Sequence, residues 1–308
     1  MATSFLFLVC LCSSPASDRS ALAALYDATA GGTWKVKAGW LSEDDHCDWA
    51  RVTCGSEGRV SKLALWANNL TGSLEELTLG GLDGLTELDL SLNSLSGVVP
   101  RLWLPRLASL DLQYNKLTVD LRHLSELPKL RSLNCKWNAI VSGGLNALRG
   151  LSLEEIDLSF TTSAPPLTLN GLVELPSLRA IKLASAGLAG GVPSLLGSLR
   201  SLHAPGNRLT GRLPDDLGQL QELDVSLNLL NGEVPRLRAA ELRVLNLGRN
   251  RFNGSRLRLN DHPALEVRTR RVTTAFRPPL TAPHSRHTLA ALPPHTRRTP
   301  ATLPPHSH

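Results

Sequence analysis

The sequence predicts an α/β solenoid, in which short repeats stack side by side and their strands form one parallel sheet along a concave surface. Three observations lead to this fold class. Leucine is the dominant apolar residue, and aromatic residues make up only 4% of the 308-residue chain. The leucines fall in one frame that recurs nine times between residues 60 and 254. No heptad connects them, which favours repeats over a coiled coil.

Each copy of the frame reads Leu-x-x-Leu-x-Leu-x-x-Asn-x-Leu-x-Gly, as it does from Leu85 to Gly97. Successive copies lie 21 to 25 residues apart, which is the period of leucine-rich repeats. The alternating Leu-x-Leu segment predicts a short strand with both leucines on one face. A single repeat buries too little apolar surface to offset the entropy of ordering its backbone, so we expect the copies to stack into a leucine-rich-repeat horseshoe.

The asparagine of the frame predicts a hydrogen bond that recurs through the stack, because asparagine side chains commonly bond backbone groups within a turn. Two copies lack this amide, since Thr161 and Ala186 stand at the asparagine position. Pro165 and Pro166 also interrupt the loop that follows Thr161. We therefore expect a locally weak joint across the fifth and sixth repeats.

Residues 17–59 do not follow the frame and are predicted to form an N-terminal cap, which a stack needs in order to cover its apolar edge. Ser17 or Asp18 is placed to cap a helix that Gly31 and Gly32 would end. Six residues separate Cys47 from Cys54. A disulfide between them would stabilise the cap by roughly 2.5 kcal/mol in the chain-entropy model. The alternative is two free thiols.

Residues 1–16 resemble a short secretory signal peptide, with an apolar run from Phe5 to Cys12 and small residues at Ser14 and Ala16. No basic residue precedes the run, so a clipped or misassigned start is the alternative. Export would favour the disulfide, because disulfides persist in oxidising compartments. Elsewhere, no stretch approaches the ~18 apolar residues that span a bilayer, so we expect no transmembrane segment.

The C-terminal part of the chain is predicted to leave the repeat pattern, with a degenerate repeat end at 255–267 and a disordered tail at 268–308. Residues 255–308 contain nine arginines and only two acidic residues, so the isoelectric point of 9.3 reflects this segment. A basic tail does not predict specific nucleic-acid binding, which needs a basic folded face. Its histidines have no closed metal-site spacing, and we expect no metal.

Several motifs resemble plant-type leucine-rich-repeat proteins with an N-terminal cap. They are Leu-x-x-Leu-Tyr-x-Ala-Thr-x-Gly-Gly-x-Trp at 22–34, Cys-Asp-Trp-x-x-Val-Thr-Cys at 47–54, and Leu-x-Gly-x-Leu-Pro at 209–214. Proteins of this kind include receptor-kinase ectodomains, receptor-like proteins and polygalacturonase inhibitors. The resemblance implies a secreted or extracellular solenoid that binds a protein, peptide or cell-wall glycan. The alternative is the ectodomain remnant of a receptor-like protein associated with the plasma membrane, or a truncated or frameshifted gene product.

Aromatic side chains are the first candidate binding residues. Tyr114, Trp137 and Phe160 stand just before the asparagine position of three successive repeats, and Trp66 lies near the start of the stack. Adjacent exposed aromatics are typical of interface anchors and of platforms that stack on sugars. The alternative is that they pack along the flank of the solenoid.

Acidic side chains are the second candidates, at Asp89, Asp111 and Asp157 between the two strand leucines. A stripe of carboxylates on the concave face suits a basic ligand, although aspartate is also routine at this place in the repeat. The triplets beginning at Asn69 and Asn253 are glycosylation sequons.

No catalytic motif emerges from the sequence, which contains neither Gly-x-Ser-x-Gly nor His-Glu-x-x-His. Ser201, His203 and Asp224 fall on neighbouring concave strands, but an open repeat surface rarely excludes water from a reaction. We therefore expect a non-enzymatic, monomeric binding protein that uses no cofactor.

Overall fold

The computed structural model of the chain describes residues 14–142, 144–194, 196–238, 240–253 and 266–267. In chain order, the strands are β1 Val52–Cys54, β2 Val60–Ala64, β3 Thr71–Ser73, β4 Glu87–Asp89, β5 Ser94–Val98, β6 Ser109–Asp111, β7 Lys116–Asp120, β8 Ser132–Asn134, β9 Ala139–Ser142, β10 Glu155–Asp157, β11 Thr162–Ser163, β12 Ala180–Lys182, β13 Ala189–Gly190, β14 Ser201–His203, β15 Arg208–Leu209, β16 Glu222–Asp224, β17 Asn231–Gly232, β18 Val244–Asn246, β19 Arg251–Phe252 and β20 Glu266–Val267.

The main sheet takes one strand from every repeat, in the order β1-β2-β4-β6-β8-β10-β12-β14-β16-β18-β20. Its strands are parallel from β2 onwards, and β1 of the cap is antiparallel to β2. The frame leucines are in register, so that Leu88 lies between Leu63 and Leu110. These leucines are almost completely buried. The predicted solenoid with a parallel sheet is therefore confirmed.

A second set of strands follows the asparagine position of each repeat. Strands β3, β5, β7, β9 and β11 form one five-stranded sheet, and two separate pairs, β13–β15 and β17–β19, follow it. Helix is a minor part of the repeats. Within the described part of the chain it consists of α2 (Leu121–Leu124) and the 3-10 turns Leu145–Leu148 and Leu169–Glu174.

The asparagines join consecutive repeats. The carbonyl oxygen of Asn93 accepts hydrogen bonds from the backbone N–H groups of Asn68 and Leu70, at 3.0 and 2.9 Å. Its amide nitrogen donates to Leu65 in the preceding repeat and to Leu90 in its own, at 2.9 and 3.0 Å. The asparagine side chain therefore bonds backbone groups of two repeats, and not only those of its own turn as the sequence predicts. The same pattern is repeated by Asn115, Asn138, Asn207, Asn228 and Asn250.

The joint at the fifth and sixth repeats lacks these bonds. The hydroxyl of Thr161 donates to the carbonyl of Leu158, which lies in its own repeat, and Ala186 has no polar side-chain atom. The five-stranded sheet ends at β11, one repeat before β13 begins the next pair. The main sheet nevertheless continues without a break from β10 to β12.

The cap begins with helix α1, Pro15–Ala28, and continues with the 3-10 turns Gly31–Thr33 and His46–Asp48. The helix starts earlier than predicted, because Ser14 rather than Ser17 or Asp18 is its N-cap. The hydroxyl of Ser14 accepts from Ser17 N at 3.3 Å, and Ser14 N donates to the Ser17 hydroxyl at 3.2 Å. This reciprocal arrangement is a capping box.

Asp18 is buried and joins the cap to the first repeat. Its carboxylate accepts from Arg59 Nε at 2.9 Å, from Arg59 Nη2 at 2.8 Å and from Val60 N at 2.8 Å. Hydrogen bonding to Asp18 raises the pKa of Arg59, which also pairs with Asp83. Gly81 lets the helix pack closely, since a Cβ there would lie 2.6 Å from the carbonyl oxygen of Ser17.

The rest of the cap is an aromatic cluster closed by a disulfide. Tyr26, Trp34, Trp40 and Trp49 pack with ring centroids 4.7 to 5.8 Å apart. The predicted disulfide between Cys47 and Cys54 is present. The remaining described cysteine, Cys135, is a buried free thiol whose pKa burial raises, so the thiolate is disfavoured there.

The other predicted segments fall largely outside the described residues. These are the first thirteen residues of the signal peptide, most of the degenerate repeat end and the whole tail at 268–308. Within 255–267 only β20 is described, and it pairs with β18.

Candidate ligand-binding surface

The residue just before the asparagine position has a left-handed backbone in all nine repeats. The φ values lie between 48° and 71° at Ala67, Leu92, Tyr114, Trp137, Phe160, Ser185, Gly206, Leu227 and Arg249. We call these nine positions the left-handed row. Left-handed backbone costs a non-glycine residue roughly 1–2 kcal/mol, and bulky residues seldom adopt it. Such outliers are a reasonable starting point for a hypothesis about function.

Three consecutive members of this row, Tyr114, Trp137 and Phe160, form what we call the aromatic ladder. The Tyr114 and Trp137 rings are 5.8 Å apart and inclined by 23°, and the Trp137 and Phe160 rings are 4.8 Å apart and inclined by 9°. Their exposed fractions are 42%, 45% and 39%. The rings are therefore stacked on one another in the open rather than packed beneath the flank.

The polar tips of the ladder are available for binding. Neither the Tyr114 hydroxyl nor Trp137 Nε1 has a hydrogen-bond partner among the residues that the structure describes. Lys136 Nζ lies 5.7 Å from the Tyr114 ring centroid and 5.5 Å from that of Phe160. Sequence reasoning overlooked Lys136, although its place beside Trp137 in the chain was a usable signal.

Trp66 does not join the ladder. It stands one position earlier in its repeat than the ladder residues do, and Arg51 lies over its ring at 4.8 Å. Between Trp66 and Tyr114 the row is filled by Leu92, which is 49% exposed. Trp66 is 48% exposed and forms a separate aromatic position at the cap end of the main sheet.

The three candidate aspartates have a structural role in their own turns. One carboxylate oxygen of Asp89, Asp111 or Asp157 accepts from the backbone N–H two residues further on, at 2.9 to 3.0 Å. Asn134 and Asn246 accept the same bond at the same place in their repeats. An amide oxygen therefore accepts this bond as a carboxylate oxygen does. The turn accounts for Asp or Asn at this position without a ligand. Burial, opposed by a bond from Gln113 N, raises the pKa of Asp111.

Ser201, His203 and Asp224 do not assemble a nucleophilic triad. The Ser201 hydroxyl donates to Glu222 at 3.1 Å, while His203 Nδ1 lies 3.7 Å from the Asp224 carboxylate. Strand register explains this, because Ser201 faces Glu222 and His203 faces Asp224 on β16. The serine hydroxyl is thus engaged away from the imidazole.

The two predicted glycosylation asparagines are both exposed. Asn69 Nδ2 donates to the carbonyl oxygen of Thr33 at 3.0 Å. The sequon of Asn253 continues into residues 254 and 255, which lie outside the described residues. Glycosylation at either site stays a prediction.

Within the described part of the chain, one cluster has three potential metal ligands, His46, Cys47 and Cys54. Both sulfurs belong to the disulfide, so they are not thiolates that could bind a metal. No helix in the described ranges is long and apolar enough to cross a lipid bilayer.

Comparison with known sequences identifies related repeats. Two family profiles, both described as leucine rich repeat, match residues 58–117 and 198–220. The chain is 34% identical over 113 residues to MDIS1-interacting receptor like kinase 1 of Arabidopsis thaliana. The matched region covers 36% of this chain and 10% of that protein. The chain spans about a tenth of the length of the curated receptor kinases that it matches.

Solved structures show the same fold. The crystal structure of PEPR1–AtPEP1 is similar with a TM-score of 0.68 and 27% identity, over 81% of this chain and 37% of that one. The plant peptide hormone receptor RGFR1 in complex with RGF2 is similar with a TM-score of 0.58 and 26% identity, over 72% and 40%. With its capped stack of nine frames, this chain has the leucine-rich-repeat fold, and it is similar to the repeats of plant receptor kinases and to solved plant receptor structures.

Proposed function

We propose that this chain binds a peptide or protein partner, with the aromatic ladder as the anchor. The observation that carries this proposal is the exposure of three stacked rings on left-handed backbone. Folding alone does not favour bulky side chains at such positions. Exposed Tyr and Trp side chains contribute strongly to binding at protein interfaces.

The stacking geometry favours a peptide over a glycan. Sugars stack on ring faces, but most of the faces in the ladder are covered by neighbouring rings at 4.8 and 5.8 Å. The ladder instead presents ring edges, a hydroxyl and an indole N–H, which suit the carbonyl acceptors of a peptide backbone. The description of RGFR1 as a plant peptide hormone receptor supports the same class of ligand.

We further propose that the protein is secreted, non-catalytic and free of cofactors. The receptor-kinase relatives match this chain in their leucine-rich repeats. The Cys47–Cys54 disulfide is compatible with an oxidising compartment. Mass spectrometry of the native protein tests secretion directly, because it reports the mature N-terminus, the oxidation state of this pair and any glycan on Asn69 or Asn253.

The binding proposal is tested by selecting a displayed library of random dodecapeptides against the full chain and against Trp137→Gly. Glycine relieves the left-handed backbone at this position, so the variant should fold at least as stably as the wild type. We expect selected peptides to bind Trp137→Gly about tenfold or more weakly. Arg249→Gly is the matched control, because Arg249 occupies the same row outside the ladder at φ 55°. Equal binding by all three proteins would refute the proposal.

A second candidate is that the chain is the ectodomain portion of a longer receptor-like protein. The matches to receptor kinases over about a tenth of their length favour this reading. Mapping the 3′ end of the native transcript tests it. An in-frame hydrophobic segment downstream would support the receptor, and native protein ending at His308 in the extracellular fluid would contradict it.

A further inference from the structure

We propose that the partner completes the aromatic ladder, by placing one of its own aromatic side chains, flanked by a carboxylate, against the outer face of Phe160. The proposal rests on the function proposed above and names the chemistry of the peptide that the surface accepts. It follows from where the row of rings stops and from the charges around that point.

The left-handed row continues past Phe160 without a ring. Ser185 and Gly206 are the next two members, and we call this pair of exposed positions the gap. Backbone hydrogen bonds step evenly along the row, from Phe160 N to Ala184, from Ser185 N to Pro205 and from Gly206 N to Ser226, at 2.6 to 3.0 Å. At ~4.8 Å for each strand, the gap separates Phe160 from Leu227 by roughly 14 Å.

Each ring of the ladder occupies one repeat, so the gap has room for a planar group that continues the stack. Leu227, which is about half exposed, forms the far wall of the gap. Aromatic pairs in offset stacking contribute about 0.5–1.5 kcal/mol beyond the area that they bury. An aromatic side chain beside Phe160 would gain this contact without displacing any described ring.

The outer face of Phe160 is open. Among the described residues, the cation that contacts this ring is Lys136, whose Nζ is almost equally distant from the ring centroids of Tyr114 and Phe160, at 5.7 and 5.5 Å. The outer face of Phe160 is the face turned away from Trp137. An ammonium group on that face would be farther from the Tyr114 ring than the Phe160 ring is. Lys136 therefore lies alongside Trp137 and leaves the end of the ladder uncovered.

The charges around the gap favour a carboxylate next to the incoming ring. Neither Lys136 nor Lys182 has an ion-pair partner among the described residues, and Lys182 is exposed. Lys182 precedes Ser185 by three residues, which places its strand beside the gap. On the neighbouring strands, Asp157 keeps its charge while one of its oxygens accepts from Ser159 N, and His203 lies beside Asp224, but neither carboxylate forms an ion pair with Lys182 among the described residues. Two unpaired ammonium groups thus complement an acidic, aromatic peptide.

The key variant fills the gap from within. Ser185 has φ 48°, close to the 52° to 57° at which the ladder residues carry their rings, so Ser185→Phe should fold with its ring stacked on Phe160. Leu92→Phe is the matched control, because Leu92 has φ 56° at the opposite end of the ladder and its substitution leaves the gap open. Both substitutions are made in the full chain, and thermal unfolding checks that each variant folds.

The probe is the pentapeptide Gly-Glu-Trp-Asp-Gly, with binding measured by NMR titration and by saturation transfer from the protein. Gly-Glu-Leu-Asp-Gly removes the ring, Gly-Lys-Trp-Lys-Gly reverses the charge, and cellohexaose tests a neutral glycan. We expect the acidic aromatic peptide to bind the wild type and Leu92→Phe alike, and to bind Ser185→Phe about tenfold more weakly. Both control peptides should bind at least about fivefold more weakly than the probe.

Three results would overturn the inference: equal binding of the tryptophan and leucine peptides, no effect of Ser185→Phe, or binding of cellohexaose in preference to all peptides. Failure here is distinguishable from failure of the proposed function. If library peptides depend on Trp137 but carry no aromatic residue and ignore Ser185→Phe, the ladder still binds a partner and only the completion of the ladder is wrong. An absence of binding by any peptide to the wild type contradicts both proposals.

Discussion

Two joints between repeats differ in one side chain and in the structure around it. Between the third and fourth repeats, Asn138 accepts from Leu117 N at 2.9 Å and donates to Leu112 at 2.9 Å, so its amide bonds the preceding repeat twice. Between the fourth and fifth repeats, the only described side-chain bond of Thr161 stays within its own repeat. The five-stranded second sheet still crosses the Thr161 joint through β9 and β11 and ends one repeat later, at Ala186, whereas the main sheet passes through both joints.

The comparison of these two joints shows that the leucines and the asparagine of the repeat have separate structural roles. The leucines and the backbone bonds of the main sheet are sufficient to keep neighbouring repeats in register, since β10 and β12 pair over all three of their residues. The asparagine acts on the turn that follows the strand, where it bonds backbone groups that would otherwise be buried without partners. The joint at Thr161 and Ala186 should therefore be locally weaker without being misaligned.

The largest effect should come from removing an asparagine where it is present. Asn207→Ala leaves the N–H groups of Ala186 and Leu188 without their acceptor at 3.0 Å and removes the amide donations to three backbone carbonyls. We expect a loss of about 3 kcal/mol in the free energy of unfolding, measured by urea denaturation. Thr161→Ala is the control and should lose about 1 kcal/mol or less. Equal losses would show that the two joints do not differ in this respect.

Amide hydrogen exchange should resolve the joint directly. Thr162 N and Ala164 N donate across it at 3.3 Å, whereas Leu117 N donates to the Asn138 side chain at 2.9 Å. We expect the first two amides to exchange at least about tenfold faster than Leu117, which corresponds to about 1.4 kcal/mol in the free energy of local opening. Uniform protection along the repeats would contradict a weak joint.

Restoring the amide should strengthen the joint. Thr161→Asn places a donor where the Thr161 hydroxyl now bonds Leu158 at 2.8 Å, and adds an acceptor for the fourth repeat. We expect a gain of about 1 kcal/mol in the free energy of unfolding. Thr161→Val removes the hydroxyl with little change of shape and should be destabilising instead. A loss of stability in Thr161→Asn would mean that the site cannot accept the larger side chain.

The smallest effect concerns the charge of Asp111 on β6. This residue is in register with the uncharged Asn134 on β8. Burial raises the pKa of Asp111, so ionisation at neutral pH disfavours the folded state. This penalty is absent below the ordinary aspartate pKa and complete above the raised one. Asp111→Asn should therefore stabilise the protein at pH 7 by less than about 1 kcal/mol and give no gain in acid. Unfolding measured at both pH values provides the check.

The repeat spacing of leucine and asparagine was sufficient to predict the parts of the fold that recur in every repeat. The nine repeat strands, their inward leucines and the place where the asparagine bonds are missing follow from the spacing of Leu and Asn. The left-handed backbone of the ladder residues could not be predicted, because Tyr, Trp and Phe intrinsically disfavour it and only the stacked turn imposes it. The local bonds of the acidic stripe could not be predicted either, because a carboxylate that accepts a local N–H looks the same in sequence as one that binds a ligand, and ligand binding by Asp89, Asp111 and Asp157 stays a prediction.

The predicted start of the first helix is wrong for a simple physical reason. Ser14 and Ala16 fit the small residues of a cleavage site, so the sequence alone favours a helix that begins after them. In the structure Ser14 caps α1, and Pro15 occupies the first turn, where its fixed φ suits a helix. The buried contact between Asp18 and Arg59 joins residues 41 positions apart, which no local pattern reveals.

That first turn of α1 constrains how the chain can be processed. A peptidase acting after Ala16 would remove Ser14 and leave a new ammonium group on Ser17, at the positive end of the helix dipole. A cut before Ser14 would instead preserve the reciprocal serine bonds. A cut within this segment and formation of the first helical turn would therefore compete for the same few residues, and the position of such a cut would decide whether the helix keeps or loses its N-cap.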